Sequence, residues 1–255
     1  MTDSPTGEEA AARSGAPKAK APALPDLVVP VRQLPANERL RYALRSWAAH
    51  LPHRRVWLVG YRPVWTAGVG HIPTVQDTAG YSITAAVRAA CEHPRVSDRF
   101  LLLDPDVFLM APAEEVPVLH AGPVRDLDLG RYCGCSSGPT AQGVTETRDL
   151  LASLDHPNPL SYELAVPLPV DKAGILDAVN RAEGLPTVHV RTLYGNLAGI
   201  GGEQAEDVRI NHRAPRDYQG QQFVSARPDA FNHGAVGRYV RDAFWVPCRY
   251  EEGGV

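Results

Sequence analysis

An apolar run ends in two carboxylates about a hundred residues into this chain. Residues 100–103 read Phe-Leu-Leu-Leu, and Asp104, Pro105 and Asp106 follow directly. Four bulky apolar residues in succession are typical of a strand buried on both faces. Such a strand delivers its terminal carboxylates to the carboxyl edge of a sheet, where open α/β folds bind ligands. Two carboxylates one residue apart can share a hard cation, but Asp-Pro also starts ordinary turns, so the pair alone leaves both interpretations open.

The segment before that run alternates between strand and helix patterns. Residues 26–31 and 56–60 predict strands, and residues 72–75 predict a short third strand. Apolar residues recur at helical spacing over residues 40–51 and again over residues 83–91. The resulting order, β-α-β-β-α-β, predicts an α/β fold with a mostly parallel central sheet flanked by helices.

The second half of the chain has a less regular pattern. Extended segments are predicted at residues 107–110, 116–119, 162–168, 187–193, 207–210 and 223–226. Helices are predicted at residues 145–154, 171–181 and 233–244, with Asp171 as an N-cap. Residues 61–70, which mix aromatics with Gly and Pro, predict a mobile loop over a site.

Composition narrows the class of protein. Of 255 residues, 44% are hydrophobic and 22% charged, which is ordinary for a soluble globular protein. Residues 1–25 have almost nothing to bury and predict a disordered tail, and residues 26–255 predict a single domain. No stretch is apolar enough to span a membrane or to act as a signal peptide, so we expect a cytoplasmic protein without a membrane partner.

Cysteines and net charge exclude two further classes. The four cysteines are expected to be reduced thiols, because Cys133 and Cys135 are too close together for the usual zinc spacing. The net charge of −3 argues against a generally basic nucleic-acid coat, although it leaves room for a local basic groove.

Several stretches together carry a resemblance to a known family. They are Val29-Pro30-Val31-Arg32, residues 37–46 (Asn-Glu-Arg-Leu-Arg-Tyr-Ala-Leu-Arg-Ser), Val56-Trp57-Leu58-Val59-Gly60, His71-Ile72-Pro73, Val96-Ser97-Asp98-Arg99-Phe100, Tyr162-Glu163-Leu164, residues 167–172 (Pro-Leu-Pro-Val-Asp-Lys) and Leu193-Tyr194-Gly195-Asn196-Leu197. The chain resembles nucleotide-sugar transferases with the A-type glycosyltransferase fold. More narrowly, it is similar to actinobacteriophage glycosyltransferases that are distantly similar to Stealth-type capsule sugar-phosphate transferases. The resemblance covers roughly residues 26–250 and implies a nucleotide-sugar-binding half (26–110) and an acceptor-binding half (111–255).

Two departures from the family pattern bear on the chemistry. Relatives usually carry Asn-Asp-Asp or Asp-Asp-Asp at the acidic motif, whereas here Pro105 separates the two carboxylates. Stealth-like sequences tend to have a His two residues before the proline that corresponds to Pro167, and this chain has Ala165 there. The missing His favours ordinary glycosyl transfer over sugar-phosphate transfer.

The resemblance implies a donor site with a metal. Asp106, aided by Asp104, would hold a divalent cation, Mn²⁺ or Mg²⁺, that neutralises the departing diphosphate as a Lewis acid. His233 is the expected third ligand and His212 the second choice, although either histidine is as readily an exposed or helix-capping residue.

Other residues are implied to contact the nucleotide sugar, which we expect to be a UDP-sugar. Pro30, Val31 and Arg32 would clamp the nucleobase and ribose, and Arg88 would meet the phosphate or sugar. Gln76 and Asp77 are weaker donor-site candidates. Arg32 can also be a plain surface charge and Arg88 part of a solvated helix face.

A base is required if the transfer inverts the sugar's configuration, because a carboxylate then takes the acceptor's proton. Glu163 and Asp171 are the candidates, although Glu163 can be a strand-edge charge and Asp171 an N-cap. Tyr194 and Asn196 lie in a segment that would border the acceptor, while a structural role is favoured for Gly195 and Asn196.

The narrower resemblance suggests that the acceptor is 5-hydroxymethylcytosine in phage DNA. A stacked base must be flipped into the pocket, and the DNA needs cationic contacts to its phosphates. Two clusters offer such contacts: Arg39, Arg41, Arg45, Arg54 and Arg55, and Arg209, Arg213 and Arg216. The alternatives are a Stealth-like or other transferase acting on a cell-surface carbohydrate, and an inactive DNA-binding relative. No obligate protein partner is evident.

Overall fold

The computed structural model describes residues 23–76, 82–127, 138–185, 187–213, 218 and 220–254. Its central sheet has five strands: β1 (Asp26–Val31), β2 (Val56–Gly60), β3 (Gly70–Ile72), β4 (Arg99–Leu102) and β7 (Leu168–Asp171). Their spatial order is β3-β2-β1-β4-β7, and every pair is parallel except β4 with β7. The predicted α/β architecture with a mostly parallel sheet is confirmed.

Helices cover both faces of this sheet because β1 buries side chains on each face. Leu27 and Val29 join an apolar cluster with Trp47 of helix α1 (Glu38–His50). Val28 joins a second cluster with Val87 of helix α2 (Ile83–Glu92). A strand buried on both sides reads as a continuous apolar run, which is why β1, β2 and β4 were visible in the sequence.

The remaining elements come mostly from the second half of the chain. Three strands, β5 (Val107–Leu109), β10 (Phe223–Ala226) and β9 (Arg209–Ile210), form a second sheet, and β6 (Leu119–His120) pairs with β8 (Glu203–Gln204). The further helices are α3 (Pro139–Ser153), α4 (Lys172–Arg181), α5 (Val190–Leu197), α6 (Pro228–His233), α7 (Ala235–Ala243) and a 3₁₀ turn at Val124–Asp126. The first cluster also contains Phe231 and Val240, so the two halves of the chain share a core. No helix among the described residues is long and apolar enough to cross a bilayer.

Residues 187–193 were predicted as a strand, and this prediction is wrong: helix α5 starts at Val190. Its residues 190–195 are all buried. Val190, Thr192 and Tyr194 are β-branched or aromatic residues at alternate positions, a pattern that favours a strand, and the packing of the buried helix overrides this propensity.

Other boundaries moved by a few residues. The third strand lies at Gly70–Ile72 rather than 72–75, and the strand predicted at 162–168 starts only at Leu168. Helix α3 starts six residues before the predicted 145–154. The helix predicted at 233–244 corresponds to α7, and α6, which was not predicted, precedes it. The two helices meet at Gly234, where a Cβ atom would lie 2.3 Å from the Ala230 carbonyl oxygen.

The segment 61–70 lies against the C-terminal segment. The Ala67 N–H donates to the Tyr250 carbonyl at 2.9 Å, and the Glu252 N–H donates to the Trp65 carbonyl at 3.0 Å. Thr66 also forms an isolated antiparallel bridge with Glu251. These backbone contacts hold the loop against the C-terminal segment, and its role over a site stays a prediction.

Candidate functional site

A cleft lies where the strand order of the central sheet reverses. The chain moves from β1 outward to β2 and β3, and then returns to place β4 on the other side of β1. In open α/β sheets such a reversal opens a crevice outside the carboxyl ends of the two strands. Here those ends carry Arg32 and Asp104, and both line a cavity of about 640 Å³.

The acidic pair is both a turn and part of this cleft. The Val107 N–H donates to the Asp104 carbonyl at 3.3 Å, which closes a turn with Pro105 at its second position. Asp104 also lines a second cavity of about 330 Å³, together with Asp106. The two cavities share Asp104, Thr140 and Arg209, so they form one continuous cleft.

Three helices start at the larger cavity. Its lining includes Ser82, the N-cap of α2, Pro139 at the start of α3, and Val190 at the start of α5. The first turn of a helix has N–H groups without intrahelical partners and the positive end of the helix dipole. Three such ends around one cavity favour a negatively charged ligand, and a phosphate group above all.

Arginines surround the carboxylate of Asp104. Its Oδ2 lies 3.6 Å from Nη1 of Arg191 and 3.6 Å from Nη2 of Arg209. Arg209 opens strand β9 and lies between Asp104 and Asp207, whose carboxylate is 3.7 Å from Nη1 of Arg209. Asp104 is one-third exposed and therefore still reaches the cleft.

Arg191 is the most unusual side chain of the site. It is only 4% exposed, and its Nη2 donates to the Val166 carbonyl. Its Nε and Nη1 atoms are buried without a hydrogen-bond partner, although the side chain lines the cleft. Buried donors without an acceptor are costly in free energy, so Nε and Nη1 point to a ligand that would accept from them.

Asp106 is held by Arg39, the second residue of α1. Nη1 of Arg39 donates to Oδ2 of Asp106 and also to the Ala226 carbonyl at 3.1 Å. Burial raises the pKa of Asp106 above its ordinary value; Arg39 opposes this shift, and the neighbouring Asp104 adds to it. The Asp106 carboxylate thus binds the guanidinium cation of Arg39.

Glu163 also lines the larger cavity. Its Oε1 accepts from the Thr192 N–H at 3.1 Å, which caps the first turn of α5 next to Arg191. The predicted candidate base therefore lies in the same cleft as Asp104. The cavity has room for a sugar or nucleotide between helices α2, α3 and α5.

The residues of the cleft do not complete a divalent metal site. Among the described residues, no three His, Cys, Asp or Glu side chains form a group that could hold a metal ion. Asp104 and Asp106 offer two carboxylates, and both are already paired with arginines. The metal set Asp104, Asp106 and His233 stays a prediction.

Several residues expected at the site lie elsewhere. Arg88 donates to Asn180 and to the Val179 carbonyl, so it joins α2 to α4. Asp171 pairs in register with Arg99 at the start of β4, at the opposite edge of the sheet from Asp104, and its Oδ1 accepts from the Gly174 N–H at 2.9 Å. The predicted N-cap is therefore confirmed, and the structure does not bring Asp171 to the cleft.

Other candidates also have partners within the fold. Gln76 accepts from the Gln33 N–H at 2.9 Å, which joins the segments after β3 and β1. His233 is exposed and ends α6 beside Asp229. The Tyr194 hydroxyl accepts from the Asp171 N–H at 2.9 Å, and the Asn196 side chain bonds both backbone groups of Leu160.

Two of the three residues predicted to clamp the nucleobase line the larger cavity. Pro30 and Arg32 line the larger cavity, whereas the Val31 side chain is fully buried in the core. Asp77 lies outside the described residues, as do Cys133 and Cys135. Cys91 and Cys248 are free and buried.

Most arginines of the two clusters expected to meet DNA phosphates contact other side chains of the protein. In the first, Arg45 pairs with Glu251, Arg54 pairs with Asp26, and Arg41 stacks over Trp65. Arg39 pairs with Asp106, and Arg55 stacks over Trp57. In the second, Arg213 pairs with Asp229, Arg209 belongs to the cleft, and Arg216 lies outside the described residues.

Sequence reasoning missed Arg191 and the role of Arg209 and Arg39 beside the acidic pair. Arg191 belongs to the segment that was assigned to a strand, and nothing local marks it as buried in a cleft. The start of α2 was easier to predict from the sequence. Ser82 precedes an apolar helical pattern, and serine is a favoured N-cap residue.

Comparison with known proteins adds little. No protein-family model and no curated protein matches the chain. A structure of the glycosyltransferase GlyE from Streptococcus pneumoniae TIGR4 is 11% identical, with a TM-score of 0.37, over 88% of this chain and 50% of that chain. The apo form of GlyE is 11% identical, with a TM-score of 0.36, over 72% of this chain and 45% of that chain. The chain thus spans about half the length of these structures.

Proposed function

We propose that the protein is a glycosyltransferase that binds a nucleotide-diphosphate sugar, expected to be a UDP-sugar, in the cleft at the carboxyl ends of β1 and β4. The observation that carries this proposal is the buried Arg191, whose Nε and Nη1 lack hydrogen-bond partners beside three helix starts. This combination suits a diphosphate, because phosphate oxygens accept from both backbone N–H groups and guanidinium groups. The family resemblance supplies the reaction class.

The chemistry needs a leaving group, an attacking oxygen and a base. The acceptor hydroxyl attacks the anomeric carbon, the bond from that carbon to the phosphate oxygen breaks, and the nucleoside diphosphate leaves with the electron pair. Glu163 takes the hydroxyl proton, and attack from the face opposite the diphosphate inverts the configuration of the sugar. Arg191 and the helix starts stabilise the negative charge that develops on the diphosphate.

For the acceptor, we propose 5-hydroxymethylcytosine in DNA, which is supported by the narrower family resemblance. Two members of the clusters, Arg39 and Arg209, line the cleft and are candidates for cationic contacts to DNA. A cell-surface carbohydrate is the second candidate, favoured by the small number of unpaired surface cations in the described clusters. An inactive DNA-binding relative would bind DNA without transfer.

Incubation with a panel of nucleotide sugars and with hydroxymethylcytosine-containing DNA tests donor, acceptor and competence together. Mass spectrometry of the nucleosides should find a hexosylated base with one donor. Transfer to an oligosaccharide but not to DNA would support the carbohydrate acceptor. DNA binding without transfer to any acceptor or hydrolysis of any donor would refute the enzyme.

The base is tested by Glu163→Gln, which should lower kcat by about 10²–10⁴-fold, the usual contribution of a general base. Glu203→Gln is the matched control, because Glu203 is an exposed carboxylate outside the cleft lining. Equal activity of the two variants would remove Glu163 from the mechanism.

A further inference from the structure

The cleft is lined by more arginines than carboxylates. The described lining residues of the two cavities include three carboxylates, Asp104, Asp106 and Glu163. They also include five arginines, which are Arg32, Arg39, Arg191, Arg209 and Arg227. The formal charge of these groups is therefore positive, although the chain as a whole carries −3.

The two acidic side chains of the motif face arginines at close range. Asp104 lies 3.6 Å from both Arg191 and Arg209, and Asp106 bonds Arg39. A divalent cation between these carboxylates would have to displace guanidinium groups or lie beside them, and like charges at such distances repel strongly in a partly buried site. No third ligand group is present among the described residues.

We propose that Asp104 and Asp106 are positioning residues for arginines, and that Arg191 and Arg209 neutralise the diphosphate in place of a divalent metal. This inference rests on the proposed function. Asp104 is one-third exposed and orients two guanidinium groups toward the larger cavity, while Asp106 fixes Arg39 at the wall of the smaller one. Arginine suits the task because its planar donors match phosphate oxygens and it stays charged at any physiological pH.

The metal hypothesis and the arginine hypothesis predict opposite effects of neutralising Asp104. If Asp104 is a metal ligand, Asp104→Asn removes a ligand and weakens diphosphate binding. If Asp104 orients arginines, Asp104→Asn keeps one acceptor oxygen beside Arg191 and Arg209 and removes a negative charge from an anion site, so diphosphate affinity stays or rises. A purely structural role for Asp104 would change stability but not the cation dependence of binding.

The experiment measures UDP binding to the full chain by calorimetry, in EDTA and in Mn²⁺ or Mg²⁺, with pyrophosphate in EDTA as a second probe. We expect UDP and pyrophosphate to bind in EDTA, with Asp104→Asn binding at least as tightly as the wild type. Arg209→Gln should weaken binding by about tenfold or more, the loss of one charge-assisted hydrogen bond. Arg181→Gln, an exposed arginine on α4, is the control and should bind like the wild type.

Arg209 is chosen because the more buried Arg191 is a riskier target for folding. Circular dichroism and thermal melting of each variant establish that it folds. UDP binding that requires a divalent cation and is lost in Asp104→Asn would overturn the inference and leave the proposed function intact. Unchanged binding by Arg209→Gln would also overturn it. Absence of UDP and pyrophosphate binding under every condition would refute the proposed function itself.

Discussion

Replacing Glu251 with Gln should destabilise the protein far more than breaking a surface ion pair of the same length. Glu251 binds Arg45 of α1 through two hydrogen bonds, from Nε at 2.6 Å and from Nη2 at 2.8 Å. Both side chains are nearly buried, with exposed fractions of 9% and 8%. Arg45 also donates from Nη1 to the carbonyls of Phe244 and Trp245, each at 2.9 Å.

The magnitude follows from what the substitution leaves behind. The glutamine side chain would offer one acceptor oxygen instead of two and would turn an amide toward the buried guanidinium. Removing one partner of a buried ion pair costs about 3–5 kcal/mol, because the remaining charge stays uncompensated. For a domain of this size each kcal/mol lowers Tm by about 2–4 °C, so Tm should fall by about 6–20 °C.

The assay is urea unfolding of the wild type and of Glu251→Gln, followed by circular dichroism. The midpoint should fall while the m-value stays constant, as expected for a change in stability alone. Asp177→Asn is the matched control, since Asp177 and Arg181 pair at 2.7 Å with exposed fractions of 57% and 47%. Exposed pairs contribute about 0–1 kcal/mol. Equal losses in the two variants would refute the reasoning that burial makes the Arg45 pair strong.

Two further changes test the packing and the electrostatics of the core. Gly195→Ala should lower the unfolding free energy by about 1–3 kcal/mol, because the added Cβ would lie 2.3 Å from Cδ2 of the buried Tyr162. Urea unfolding measures this loss, and an unchanged unfolding free energy would contradict the close packing of Gly195 against Tyr162. Burial would raise the pKa of Asp26, but hydrogen bonds from Arg54, Ser97 and Trp57 outweigh it and hold that pKa below 3.8. The stability advantage of the wild type over Asp26→Asn should therefore be present above pH 3.8 and shrink as the pH falls further; an advantage independent of pH in an acid titration of unfolding would contradict this.

The sequence was most informative for strands that are buried on both faces and for contacts between residues that are close together in the chain. The bounds of β1, β2 and β10 were predicted to the residue, because an apolar run of about five residues between polar segments leaves little choice. The N-cap role of Asp171 was visible for a similar reason, since a cap bonds a backbone group three residues away. Such features depend on neighbours within one turn of the chain.

The site was less predictable because its decisive contacts join distant segments. The Asp-x-Asp motif was seen, and so was Glu163, which lies in the same cleft. Asp104 is surrounded by arginines rather than by a third carboxylate or a histidine, because α5 and β9 both lie near the end of β4. No local sequence pattern predicts that these elements come together. A motif therefore fixes which atoms reach a sheet edge, while tertiary partners fix what those atoms bind.

The first turn of α5 joins the two halves of the proposed mechanism, and two substitutions of one residue separate them. Glu163 caps this turn through the Thr192 N–H, and Arg191 precedes Thr192 in the same turn. Glu163→Gln keeps an acceptor for the cap and removes only the base, so UDP affinity should stay while kcat falls. Glu163→Ala loses the cap as well, at a cost of about 1 kcal/mol, and lets the turn that carries Arg191 shift, so UDP affinity should fall in this variant alone. Calorimetry of both variants in EDTA distinguishes these outcomes, and equal UDP affinity in the two would mean that the cap does not position Arg191.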